Sequence, residues 1–80
     1  MKPDKEALRE EELKLRKLRR IMGFTAALLW QADLDLGEAQ KIIADAKARA
    51  LDLFPGKEET FDLIYGSRFR RILVERYNLQ

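Results

Sequence analysis

Hydrophobic residues recur along the first third of the chain with the spacing of an α-helix. Five of them fall on one stripe of such a helix: Leu8, Leu15, Leu18, Met22 and Leu29. The pattern predicts a single helix over residues 4–33, which would be roughly 45 Å long. No later segment of the chain offers a helix of comparable length.

The two halves of this predicted helix differ in their apolar surface. Before residue 20 the stripe is thin, and Leu13 lies on another side of the helix. After residue 20, Ile21, Phe24 and Leu28 add a second apolar face, so this half is expected to be buried on most sides. We therefore expect residues 1–20 to project as a helical arm, with Leu8, Leu13, Leu15 and Leu18 as candidate interface residues, and residues 21–80 to form the core.

An alanine-rich pattern predicts a second helix over residues 36–53. Asp35 and Glu38 have the three-residue spacing of a capping box at its start. Its apolar side chains recur at spacings of three and four: Ala39, Ile42, Ile43, Ala46, Ala50 and Leu53. The three alanines would let another helix approach closely.

Pro55 and Gly56 predict the end of the second helix, and a third helix is expected to begin near Glu58 or Thr60. At 100° per residue, one broad face of it collects Phe61, Ile64, Tyr65, Phe69, Ile72 and Leu73. Gly66 and Ser67 interrupt the pattern, and a kinked but nearly continuous helix is favoured over two helices with Ser67 as the second cap. The predicted fold is all-α, with three helices in one small domain, residues 1–80.

Two arginines fall inside the apolar face of the third helix. Arg68 and Arg76 lie on it, whereas Arg70 and Arg71 point away. A buried charge needs a partner, so an internal ion pair is the first interpretation, and stems lying along apolar surface with their heads in water are the second. The third interpretation is an anion site, formed with Tyr65, for a phosphate or a carboxylate. The ion pair predicts that Arg68→Ala costs more stability than Arg70→Ala.

Composition limits the chemistry that the chain can perform. The 80 residues include no cysteine and no histidine, which removes disulfides, the usual zinc sites and the common nucleophile–histidine mechanisms. We expect no enzyme activity, no metal and no cofactor. A core this small is usually supported by oligomerisation, and a dimer is favoured.

Charge and hydropathy limit the classes of partner that the chain is expected to bind. There are 16 basic and 14 acidic residues, a net charge of +2, so nucleic acid is possible but not favoured as a partner. A helix-turn-helix-like interpretation of residues 36–77 would place Glu58, Glu59 and Asp62 in the half of the helix that reads bases. The longest mainly apolar run, residues 21–30, is about half as long as a membrane-spanning helix needs to be. We therefore expect a cytoplasmic protein that has no membrane as a partner.

The run from Leu63 to Arg71 has the form LIY–x–x–RF–x–R. It resembles a group of short bacterial proteins without assigned function that have this core near the C-terminus, after an acidic-capped, alanine-rich helix. The resemblance covers residues 35–77 and leaves the arm outside; the pattern favours a proline where this chain has Ser67. It implies no activity and no ligand, but it implies that Tyr65, Arg68 and Phe69 form a unit.

These observations favour a self-associating helical module that acts through protein–protein contacts. A nucleic-acid-binding module and a small-anion-binding protein are the alternatives.

Overall fold

The computed structural model describes residues 5–31 and 33–79, and three helices contain most of them. The first helix is Lys5–Gln31 and the second is Leu36–Leu53. The third spans residues 58–77 and consists of Glu58–Phe61, a wide π-helical turn at Asp62–Gly66, and Ser67–Tyr77. These described residues include no strand, and the all-α prediction with three helices is confirmed. The predicted first residue of the first helix, residue 4, lies outside the described residues.

The first and third helices run in the same direction, and the second runs against both. Leu18 lies beside Phe61 at one end, and the side chain of Arg76 reaches Leu29 at the other. A parallel pair requires a long connection, and the second helix supplies it.

The core lies where the three helices meet. Its buried side chains are Met22, Thr25 and Leu29 from the first helix, Ala39, Ala46 and Ala50 from the second, and Phe61, Phe69, Ile72 and Leu73 from the third. The alanines leave room for the phenylalanines opposite, so the large side chains come mainly from one helix. The Thr25 hydroxyl donates to the Ile21 carbonyl at 2.7 Å, which satisfies the buried polar group in the core.

Local signals begin and end the second helix as predicted. The Glu38 amide donates to the Asp35 carboxylate at 2.8 Å, and the Asp35 amide donates to the Glu38 carboxylate at 3.4 Å. This is the predicted capping box. At the other end the chain turns at Gly56, whose φ of 78° is a conformation that glycine adopts without strain.

The third helix stays right-handed through its wide turn. Gly66 has φ −58° and ψ −45°, so it does not end the helix. The Ser67 amide donates to the Asp62 carbonyl, five residues back, and the Ser67 hydroxyl donates to the Leu63 carbonyl at 2.7 Å. Ser67 thus satisfies the carbonyl that its own amide would reach in a regular helix. The prediction of a kinked, nearly continuous third helix agrees with this geometry.

The wide turn changes which side chains face the core. It accommodates one extra residue, which rotates everything after it by about 100° relative to a regular helix. Phe69 therefore points into the core, whereas Arg68 is exposed. Ile64, inside the turn, is also exposed, so the predicted position of Ile64 on the buried face is wrong.

The N-terminal half of the first helix projects from the bundle. Residues 5–17 are all exposed, and Leu18 is the first residue that packs against the core. The molecule is 52 Å long and only 22 × 16 Å across. Phe24 and Trp30 are also exposed, because the other two helices cover only one side of the first. The expectation that residues after 20 are buried on most sides is wrong.

The wide turn predicts different outcomes for two deletions in the third helix. Deleting Leu63, which is 77% exposed, should convert the turn to regular helix and leave all later side chains facing as they do now. Deleting Arg70 should rotate the following residues by about 100°. Ile72 would then leave the core, Leu73 and Val74 would take the places of Ile72 and Leu73, and Arg76 would move away from the Leu29 carbonyl. In thermal unfolding followed by circular dichroism, we expect the Leu63 deletion to melt within about 5 °C of the parent, a change of about 1 kcal/mol. The Arg70 deletion should melt at a clearly lower temperature than the Leu63 deletion, because its core is repacked with different side chains and Arg76 is displaced. Equal losses in both variants would contradict this account of the turn.

Candidate functional site

An open apolar groove runs between the first helix, the end of the second and the start of the third. It encloses about 270 Å³. Its apolar lining consists of Leu15, Leu18, Ala50, Leu51, Phe54, Phe61, Ile64 and Tyr65. Lys57 and Thr60 also line it. The exposure of Ile64 by the wide turn therefore adds apolar surface at this place.

The groove continues onto the projecting arm. Leu8 is 53% exposed and lies one heptad before Leu15, on the same side of the first helix. Leu13 is also 53% exposed, but it lies about 140° around the helix from Leu8. Of the four predicted interface leucines, Leu15 and Leu18 line the groove and Leu8 precedes them on the same side of the helix, whereas Leu13 lies on another side. We call Leu8, Leu15, Leu18 and the groove lining the apolar strip.

Arg76 binds a carbonyl at the C-terminal end of the first helix. Its guanidinium donates to the Leu29 carbonyl and lies 5.7 Å from the Tyr77 ring centroid. The Tyr77 hydroxyl donates to the Leu34 carbonyl at 2.6 Å. The first helix has no basic residue in its last turn, so Arg76 provides, from another helix, the cation that favours this end. Its role is structural, and it does not lie with Arg68 at a common site.

Arg68 has a different environment from the one predicted. It is exposed, and its guanidinium carbon lies 5.9 Å from the Tyr65 ring centroid. Among residues 5–31 and 33–79, no acidic side chain lies within ion-pair distance of it, and the predicted buried ion pair is wrong. The wide turn is the physical reason, because it rotates Arg68 off the core face. The grouping of Tyr65, Arg68 and Phe69 is present, with the two rings 6.5 Å apart.

Arg19 is the residue that the sequence did not single out. It lines a cleft of about 230 Å³ together with Arg68 and Tyr65, on the side of the bundle where the first and third helices meet. Met22, Gly23, Ala26 and Phe69 form the rest of the lining. In the sequence Arg19 is one of several basic residues on the arm, and only the packing of two distant helices brings it to Arg68.

An ion pair joins the second helix to the first residue of the wide turn in the third helix. The Lys47 amine is 2.9 Å from the Asp62 carboxylate and 6.0 Å from the Phe61 ring centroid. Both side chains are substantially exposed, so this pair contributes about 1 kcal/mol at most. Within the described ranges, no group of three or more acidic side chains is placed to hold a metal ion.

Comparisons with protein-family models, curated proteins and solved structures find no match to this chain. The resemblance to the short bacterial proteins stays a prediction. In the described part of the chain, no helix combines the length and the apolar character needed to cross a membrane. The apolar strip and the arginine cleft are therefore the features from which function is inferred.

Truncating Arg76 and truncating Arg68 should lower the free energy of unfolding by different amounts. Arg76→Ala removes a charged donor from a carbonyl that is largely shielded from water, and we expect a loss of about 1–3 kcal/mol. Arg68→Ala removes an exposed contact with an aromatic ring, and we expect a loss below about 1 kcal/mol, like the exposed control Arg70→Ala. Urea unfolding of the three variants measures the difference. A larger loss of stability for Arg68→Ala than for Arg76→Ala would contradict this account and would support a buried ion pair at Arg68.

Proposed function

We propose that the protein is a small helical module that associates with a second copy of itself through the apolar strip. The observation that carries the proposal is the continuity of exposed leucines on the arm with an open apolar groove on the bundle. Exposed apolar surface of this kind, contiguous and rimmed by charged residues, is typical of protein interfaces.

The arm itself supports an interface. Residues 5–17 form almost four turns of helix with every side chain exposed. A helix of this length is marginal in water unless an apolar face is packed. Docking the arm of one copy into the groove of the other would cover Leu8 and Leu15, and it would enlarge a core that is small for an independent domain.

The order of charges along the arm favours an antiparallel arrangement. Acidic residues predominate in the first half of the arm: Glu6, Glu10, Glu11 and Glu12. Basic residues follow without an acid among them: Lys14, Arg16, Lys17, Arg19 and Arg20. When two arms run in opposite directions, the acidic half of each faces the basic half of the other. Such a contact is self-complementary, as a two-fold dimer requires, and its charges set orientation more than affinity.

Nucleic-acid binding has less in its favour. Glu58 and Glu59 are exposed at the start of the third helix, where a recognition helix would approach phosphates. A net charge of +2 gives little general attraction to a polyanion. We place the dimer in the cytoplasm, in line with the cysteine-free composition.

Two substitutions on the arm test the interface with a matched control. Leu8 and Leu13 have the same exposure on the same helix, but only Leu8 lies on the apolar strip. Burying a leucine contributes about 1.5–3 kcal/mol, and a two-fold interface uses each leucine twice, so Leu8→Glu should raise the dimer Kd by about 100-fold or more. Leu13→Glu introduces the same charge on another side and should leave the Kd nearly unchanged. Sedimentation equilibrium over a range of concentrations measures both constants.

The outcome that contradicts the proposal is equally direct. Equal weakening by Leu8→Glu and Leu13→Glu would mean that the strip is not the contact surface. A parent protein that stays monomeric at all concentrations would remove self-association altogether.

Deleting residues 1–16 provides a second test. This deletion removes most of the arm before Leu18, the first residue that packs against the core. We expect the truncated chain to be monomeric and to melt at a lower temperature than the parent, because a dimer that binds only the folded state adds to its stability. If oligomeric state and melting temperature both equal those of the parent, the arm is not the interface.

A further inference from the structure

We propose that the cleft between the first and third helices binds a single phosphate group, held between Arg19 and Arg68. This site is independent of the apolar strip, although Tyr65 lines both.

The charges of the cleft are the first reason. Arg19 and Arg68 come from different helices and line one small space. In residues 5–31 and 33–79 neither has an acidic partner within ion-pair distance. An anion in this cleft could accept charged hydrogen bonds from both arginines and would balance two like charges that line one space.

The shape of the cleft is the second reason. Gly23 lies in its lining, and no heavy atom apart from its chain neighbours and the backbone of its own helix lies within 4 Å of the position that a β-carbon would occupy there. The space beside the first helix is therefore open at the level of the two arginines. Met22, Ala26 and Phe69 form an apolar lining that strengthens electrostatic attraction on that side. The Arg68 guanidinium lies over the Tyr65 ring, which restricts where it can point.

The size and charge of the cleft select the ligand. A volume of about 230 Å³ is below the range of about 300–1,000 Å³ that is usual for drug-sized ligands. A phosphate group fits this space better than a large organic molecule does. At neutral pH it carries about 1.5 to 2 negative charges, which match the two arginines better than the single charge of a carboxylate does. Arginine binds phosphate oxygens through paired N–H groups.

The experiment titrates the full-length protein and follows amide and arginine side-chain NMR signals. The probes are inorganic phosphate and phosphoserine, each compared with potassium chloride at the same ionic strength. We expect saturable shifts at Gly23, Arg19 and Arg68 with both probes and none with chloride. Tighter binding of phosphoserine would assign the phosphate to an organic ligand, and equal binding would assign it to the free ion.

Three variants test the site, and one serves as the control. Arg19→Gln and Arg68→Gln should each weaken phosphate binding by about tenfold or more. Arg70→Gln removes the same charge from the same helix at an exposed position outside the cleft, and it should leave binding within about twofold of the parent. Gly23→Leu fills the cleft without changing any charge and should abolish binding. It should also raise the melting temperature, because leucine favours a helix more than glycine does.

Several results would overturn the proposal. Equal weakening by Arg68→Gln and Arg70→Gln would show a general charge effect, and parent-like binding by Gly23→Leu would place the anion elsewhere. Shifts that chloride reproduces would remove the site. Saturable shifts with a DNA duplex alone, and none with phosphate or phosphoserine, would replace it with a nucleic-acid surface. Arg19 also belongs to the basic half of the arm, whereas Gly23 and Arg68 lie outside the arm. The Arg68→Gln and Gly23→Leu variants therefore let this proposal and self-association fail separately.

Discussion

The wide turn of the third helix is the constraint on which the rest of the structure depends. The rings at positions 61, 65 and 69 lie in contact across it, with centroids 5.8 Å apart for the first pair and 6.5 Å for the second. In a regular helix the later part would be rotated by about 100°, and Phe69 could not point into the core as it does. Ser67 maintains the turn with two hydrogen bonds from one residue. The exposed side chain of Ile64 is a direct result of this geometry, and so is the apolar groove that it lines.

The opposite end of the third helix is fixed by hydrogen bonds to carbonyl groups. Arg76 and Tyr77 donate to carbonyls at the end of the first helix and in the loop that follows it. These contacts join residues more than 40 positions apart in the sequence. They set how far the third helix slides along the first, and that register decides which side chains of the two helices share a cleft. Arg19 and Arg68 are neighbours for this reason.

Local signals made the helices predictable, and the missing long-range information explains the errors. The Asp35 capping box, Gly56 and the alanine spacing all act within a few residues, so the second helix follows from the sequence alone. Gly66 and Ser67 marked a break in the third helix, but they did not indicate that the break adds a residue to a turn. A regular helical projection puts Arg68 on the core face for that reason. The proximity of Arg19 depends on packing between helices, which no local pattern contains.

The length of the first helix has a consequence for how the molecule moves in solution. The radius of gyration is 14.8 Å, against about 12 Å for a compact chain of this size. A single copy will diffuse more slowly than a sphere of equal mass, and its elution volume from a gel-filtration column will correspond to a heavier globular protein. It will also tumble anisotropically, faster about its long axis than across it. Backbone amides of the first helix point along that axis, so their nuclear relaxation rates will differ from those of the loops even where both are rigid.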